Sequence, residues 1–598
     1  MAFLSGFGFL SVQPGSSKRR PSVCYGFLHK SFQELFAAFY LCCQLLDGEI
    51  SPESLLADTR YFRELKQVLL FTCGMLAAQC EEKAVALIKC ITSQVNKGDD
   101  DDFVTALYCI TECKKEQNNM HMELARVLGS LLQLQSFEIF WRLKLNDAAV
   151  AVLAKAIQTN STLTHLVLYN SRIAYAGATA LAEAIQTNST LKVLNLTENK
   201  IGCAGAAALA KAIQTNSTLT ELNLAGNKIG NAGASALAKA IQTNSTLSVL
   251  VLADNEIADA GSSALAEAIQ TNSTLTVLNL TKNEIGYAGA AALAKAIQTN
   301  STLTVLVLEI NEIADASAAV LAEAIQTNSK LTRLDLSHNR IAEAGATALA
   351  KAIQTNLSLR ELTLWDNGIG DAGAAALAEA IQTNSTLTGL ILGENGIGDA
   401  GAAALAEAIQ TNSTLPALEL SNNRISDAGA AGLAKAIQKH STLTKLNLSY
   451  NRITDAGATA LAEAIQTNST LAALNLSNNR IADTGAAALA EAIKKNSTLT
   501  AVNLSGNTIA DAGAVALAEA IETNSRLTAL YLSYNRIADG GAVALAEAIQ
   551  TNSTLTELHL ITNQICDDGV AALVQARKIK STIGVYLYYG DAGFDDER

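Results

Sequence analysis

The chain has 598 residues, and 49% of them are hydrophobic although only 5% are aromatic. That length would hold about four ordinary globular domains, but separate cores would normally use more large rings than 13 Phe, 13 Tyr and 2 Trp. The apolar share is mostly Ala and Leu, as in a repetitive solenoid core. The net charge of −13 disfavours non-specific nucleic-acid or anionic-membrane binding, because both need clustered positive charge.

The first ten residues are apolar, but they lack a basic flank and are too short to span a bilayer. Residues 7–23 read as two short strands around a polar turn containing Pro14, Gly15 and Ser16. A helical stretch follows from Tyr25. Eight of the 10 cysteines lie before residue 114, so no disulfide framework recurs along the chain, and a reducing, cytoplasmic location is expected. Cys109 and Cys113 with His121 nearby could be imagined as a metal site. Zinc sites more often pair two-residue knuckles, so buried free thiols are the better reading. The run Asp99–Asp102 lacks the alternating ligands and central glycine of a calcium loop and reads as a solvated connection.

From Leu163 to Leu555 a leucine returns every 28 residues, in about fifteen copies. The copy at Leu471 reads LAALNLSNNRIADTGAAALAEAIKKNST. Leu474 and Leu476 alternate with polar or small neighbours, which predicts a short strand with one buried face. Asn479 is placed to satisfy backbone groups at the bend after the strand. Asp483 is placed as the N-cap of its own helix, and Leu489 and Ile493 give that helix one apolar edge. The Asn-Ser-Thr step, formally a glycosylation sequon, reads as the turn to the next strand. One such unit cannot bury its own apolar face, so copies must stack. The pattern L-x-x-L-x-L-x-x-N-x-I is the leucine-rich-repeat signature, and it resembles the ribonuclease-inhibitor-like class. The fold expected is an α/β solenoid, a leucine-rich-repeat horseshoe with strands on the concave side, preceded by an α-helical domain. The first copy (Phe140, Trp141, Leu143, Leu145) and the last (Ile583, Tyr586, Tyr588) are degenerate, as caps are.

The segment YGFLHKSFQELFAAFYL, Tyr25 to Leu41, resembles the stretch after the nucleotide-binding core in the NLR family of cytosolic innate-immune receptors. LLFTCGMLAA (Leu69–Ala78) and ALYCITECKKEQ (Ala106–Gln117) resemble the helical domain that follows in that family. The resemblance implies a winged-helix remnant over 1–44, a helical domain over 45–133 and the repeats over 134–598. No Walker A string, G-x-x-x-x-G-K-[ST], occurs; Gly15-Ser16-Ser17-Lys18 lacks its spacing. The chain therefore looks like the C-terminal portion of such a receptor, no nucleotide cofactor is implied, and His29, which touches phosphate in relatives, reads as structural.

No catalytic arrangement stands out among the 6 His. The outward strand positions of late copies are bland, while middle copies carry Val307, Glu309, Ile310, Arg333, Asp335, His338, Glu361, Trp365, Asp366, Ile391 and Glu394. This pattern predicts either a contact patch on the concave face or neutral drift in duplicated units. Strand alternation directs Trp365 outward. Arg424, Arg452, Arg480 and Arg536 form a stripe at the strand exit, for an acidic partner or for aspartates of the same chain. The function expected is non-enzymatic recognition of a protein or microbial ligand, with no nucleic acid and no membrane insertion. The alternative is regulation of a GTPase, by similarity to Ran GTPase-activating proteins, whose long acidic tail has here only GFDDER to match it.

Overall fold

The computed structural model of the protein describes residues 10–14, 23–27, 30–97, 100–114, 119–140, 145–439 and 442–587. His29, Trp141, Leu143, Tyr588, Gly15 to Lys18 and the GFDDER end lie outside the described residues, as does Asp99. The chain divides into two compact units, Met1–Glu256 and Ile257–Arg598.

In the first unit, strands β1 (Leu10–Pro14) and β2 (Val23–Phe27) pair antiparallel. Helices follow: α1 (Lys30–Asp47, running past the expected boundary at 44), α2 (Pro52–Leu56), α3 (Lys66–Gln79), α4 (Glu81–Val95), α5 (Asp100–Glu112) and α6 (Met120–Leu131). Leu69, Leu76, Leu87, Ile91, Leu107, Ile110, Leu124 and Leu128 fall at helical spacing and are fully buried between them. Phe103 of α5 meets Phe137 of the first repeat strand edge to face, with ring centroids 4.4 Å apart. On α6, a Cβ at Gly129 would overlap the carbonyl of Ala156 in the first repeat helix, α7 (Asp147–Thr159), so the two helices approach at backbone distance. Asn160, at the end of α7, donates to Gly129 O at 3.0 Å and Leu132 O at 2.9 Å. The helical region is thus bonded directly to the first repeat.

The first repeat strand, β3 (Ser136–Ile139), begins earlier than the sequence pattern places it. Phe137 pairs with Leu166 and Ile139 with Leu168, and both are fully buried. The framework pair of this copy is therefore Phe137 and Ile139, and Phe140 is half exposed. From β3 to Val249–Val251 the strands of the first unit pair parallel and in register. Those of the second unit do so from Val277–Asn279 to Gly584–Tyr586. Ile583 and Val585 of the last copy are buried.

In the copy at Leu471, the strand is Ala473–Asn475 and the helix Asp483–Lys495. Leu474, Leu476, Ile481, Leu489 and Ile493 are all buried, each contributing about 1.5–3 kcal/mol of apolar transfer. Asn479 donates to Leu448 O at 2.9 Å in the preceding copy and accepts from Ile453 N at 3.0 Å. The Asn-Ser-Thr step forms a second asparagine ladder. Asn496 donates to Ile465 O and Asn468 O at 2.8 and 2.9 Å, and accepts from Thr498 N and Leu499 N at 2.8 and 2.7 Å. It is more than a turn: it bonds each copy to the one before.

Asp483 does not cap its own helix. It is the first helical residue, and Ala482 takes the N-cap position without a side-chain bond. Its Oδ1 accepts instead from Ala510 N at 2.7 Å and Gly513 N at 2.9 Å, the start of the next helix. Asp427 and Asp455 do the same for Thr454 and Gly457, and for Ala482 and Gly485. Side-by-side stacking brings each carboxylate to the open amides of its neighbour's first turn. A Cβ on Gly513 would come within 2.8 Å of that oxygen, which accounts for the glycine three residues into the repeated helix.

Candidate partner-binding surface

Every candidate residue lies in the second unit. Each copy leaves its strand through a residue in the left-handed region, and that column contains Ile310 (φ 51°), His338 (φ 52°), Asp366 (φ 49°), Glu394 (φ 56°), Asn422 (φ 52°) and Tyr450 (φ 54°). Asparagine and aspartate adopt this conformation readily, whereas a β-branched side chain is strained there. Ile310 is nevertheless 41% exposed, so burial compensates it only in part.

The structure brings the mid-array residues together as a charge network. His338 Nδ1 lies 2.7 Å from Asp366 Oδ2 in the next copy, and its Nε2 lies 3.9 Å from Glu309 Oε1 in the previous one. Arg333 Nε is 3.5 Å from Glu361 Oε1, and its guanidinium is 3.7 Å from Asp335 Oδ2. Asp335 is only 8% exposed. Its Oδ1 accepts from Ser337 N and Oγ at 3.1 and 2.7 Å, the bond that Asn475 and Asn503 make to Ser477 N and Ser505 N elsewhere. Asp335 therefore serves its own turn more than the surface. Trp365 leaves the strand on the expected face but is half-buried, with its ring laid on Gly393 of the following copy. Carboxylates of Glu309, Glu361, Asp366 and Glu394 outnumber Arg333, so the patch is acidic around an apolar Ile310 and Trp365.

Arg424, Arg452, Arg480 and Arg536 are exposed, and among the described residues no carboxylate lies within ion-pair distance of them. The aspartates that could have neutralised them hold the next helix instead. Tyr450, 58% exposed, stands in the same ridge.

Two features were not legible copy by copy. The alanines of the late strands leave a depression of about 300 Å³, floored by Ala417, Ala473 and Ala501, with Lys445 between the first two and Glu419 and Tyr531 at its ends. Beyond it, Tyr531, His559 and Tyr586 stack across three strands, with centroids 4.6 and 4.2 Å apart. Their signal was one column changing from Asn503 to Tyr531 to His559. The Tyr531 hydroxyl donates to Glu557 Oε2 at 2.9 Å. Burial, then the Glu557 carboxylate, pushes this phenol up, whereas burial draws His559 down against the opposing pull of Glu557.

In the first unit, Cys73, Cys109 and Cys113 are buried and free. Cys113 Sγ donates to Cys109 O at 3.2 Å, and burial pushes its thiol well above the ordinary range. The half-buried His121 stands apart from that cluster in no metal-binding group: among the described residues no three His, Cys, Asp or Glu side chains converge as ligands. No described helix is long and apolar enough to cross a membrane.

A family model described as the TMOD/LMOD leucine-rich domain matches residues 142–247. The leucine-rich-repeat model matches eleven segments, from 243–266 to 551–574. No curated protein sequence matches the chain. Among solved structures, "Leiomodin-1 Actin-Binding Site 2" is 24% identical with a TM-score of 0.21, over 21% of this chain and 76% of that one. An internalin (inlF) of Listeria monocytogenes is 19% identical with a TM-score of 0.35, over 65% and 89%. The TLR13–ssRNA13 complex is 19% identical with a TM-score of 0.42, over 77% and 66%. With eleven of its strand–helix copies matched by the repeat model, the chain is a leucine-rich-repeat protein.

Proposed function

We propose that the protein is a non-enzymatic recognition module of NLR type, acting in the cytoplasm in innate-immune sensing or in the control of its signalling. Leucine-rich repeats are protein-interaction scaffolds. The finer reading is supported by the Tyr25–Leu41 segment and the helical region packed onto the first repeat. The binding surface proposed is the mid-array patch of Glu309, Ile310, Arg333, His338, Trp365, Asp366 and Glu394, with Asp335 buried beneath it holding its own turn. Ile310 carries this assignment: an exposed β-branched residue held at φ 51° is retained at a stability cost of about 1–2 kcal/mol. A partner with basic groups around an apolar anchor complements an acidic rim with Ile310 and Trp365 inside it.

The test is cross-linking of the full chain to its captured partner in cytosolic extract, followed by mapping of the linked residues. Links concentrated on 305–394 and a tenfold loss of binding for Ile310→Asn are expected. Links confined to the convex helices would move the site and discard the patch. Equilibrium dialysis with ATP and magnesium should show no binding, because no phosphate cradle is present in the sequence.

A further inference from the structure

The late copies carry a second surface that the mid-array reading does not use. Three observations fall on the same copies. The floor of Ala417, Ala473 and Ala501, with Lys445 between the first two and Glu419 at one end, leaves a mostly apolar depression where middle copies project charges. Four guanidiniums, Arg424, Arg452, Arg480 and Arg536, line the strand-exit edge without ion-pair partners among the described residues. Tyr450 stands exposed between them, and Tyr531 closes the far end of the floor. Arginine and tyrosine are the residue types that dominate interface energetics.

We infer that this surface docks an amphipathic segment of a partner protein, with small apolar residues on one side and glutamates or aspartates on the other. The apolar side would fill the depression, and the carboxylates would pair with the guanidiniums, which bind them in a planar, bidentate way. From the strand of Ala417 to that of Tyr531 the depression crosses four strand spacings, roughly 20 Å, the length of a helix of about 13 residues. A nucleic acid fits less well. The capping aspartates Asp427, Asp455, Asp483 and Asp511 lie three residues beyond the arginine column or its Thr508 position, and they would repel a continuous phosphate backbone. Discrete carboxylates can be placed to avoid them.

The inference rests on the reading of the concave face as an interaction surface, but not on the mid-array patch. A library of randomised 16-residue peptides is selected on the immobilised full chain. Parallel selections use Arg452→Glu/Arg480→Glu, the floor-filling Ala473→Arg, and the mid-array variant Ile310→Asn/Asp366→Ala. Enriched peptides should be acidic and amphipathic. In fluorescence anisotropy they should bind at least tenfold more weakly to the first two variants, lose affinity with added salt, and be indifferent to the third. No enrichment, enrichment of basic peptides, or tighter binding of an oligo-dT of equal charge overturns the proposal. Peptides lost only with the third variant overturn it while leaving the mid-array reading intact. Circular dichroism on each variant separates lost binding from lost structure.

Discussion

The indole of Trp365 lies on the backbone of Gly393 one copy further along, so closely that a methyl group on Gly393 would overlap the ring. The largest side chain of the mid-array and the smallest residue of the next copy are thus one packing unit. Strand alternation directs Trp365 outward, and its ring is also a contact between repeats. Gly393→Ala should destabilise the chain by about 1–3 kcal/mol through overpacking. Trp365→Ala should cost about 1–2 kcal/mol of lost apolar burial. The double variant should cost less than the sum, because the overlap disappears with the ring. Urea denaturation of the four proteins measures the coupling, and additive costs would mean that the ring sits elsewhere.

Asp483 offers a test of where capping acts. Asp483→Ala leaves Ala510 N and Gly513 N without their acceptor, at a cost of about 0.5–2 kcal/mol. Faster amide exchange should appear in Asp511–Thr523, the following helix, and not at the start of Asp483–Lys495. The opposite pattern would restore the local cap.

The same interaction makes one junction acid-sensitive. Burial pushes the Asp399 carboxyl up, but hydrogen bonds from the Ser426 hydroxyl, Ser426 N and Gly429 N outweigh it and leave it below its ordinary 3.8. A lowered folded value means that its stabilisation is complete above the unfolded value and is lost as pH falls through the folded one. Amides of Asp427–Lys439 should therefore lose protection below about pH 4. Ser426→Ala should move that loss to higher pH, and an unchanged profile would remove the hydroxyl from the account.

Thiol reactivity should divide the cysteines by environment. Cys203 and Cys566 are exposed. Cys73 and Cys113 are buried with raised thiols, Cys73 through its bond with Cys109 and then burial, Cys113 through burial. Cys90 is pushed up to about 12 by burial and then by the Glu53 carboxylate that accepts its S–H at 3.1 Å. At pH 8, iodoacetamide should label Cys203 and Cys566 before Cys73, Cys90 and Cys113 by mass spectrometry, since only the thiolate reacts. Early labelling of Cys113 would show that the helical region opens readily.

The alternation of strand and helix, the inward leucines and the role of Asn479 were legible because each is set by residues close in sequence and repeated at a fixed step. What was not legible depends on contacts about one copy away. The recipients of the Asp483 bond lie 27 and 30 residues onward, so local capping was the natural reading and stacking overrode it. Asn496 looked like a turn residue because its carbonyl partners belong to earlier copies. Asp335 drew notice by its charge, although it does the work of the asparagines it replaces. The alanine floor was read as blandness, and only the strands side by side make it a depression.

Ile310 gives a test of function held at a cost in stability, and it needs no partner to be identified. Its column favours residues that tolerate φ near 50°, and Asn422 occupies the same position at φ 52°. Ile310→Asn removes a strained β-branched side chain that is 41% exposed, so only part of its apolar burial opposes the gain. The variant should be more stable by about 1 kcal/mol. Asn422→Ile introduces the same strain at φ 52° and should lose a similar amount. Because repeat arrays respond mainly through nearest neighbours, the effects should appear as slower exchange around 305–313 in the first case and faster exchange around 417–425 in the second. If Ile310→Asn were instead destabilising, the isoleucine would be serving the packing of the array, and the mid-array patch would lose the observation on which it rests.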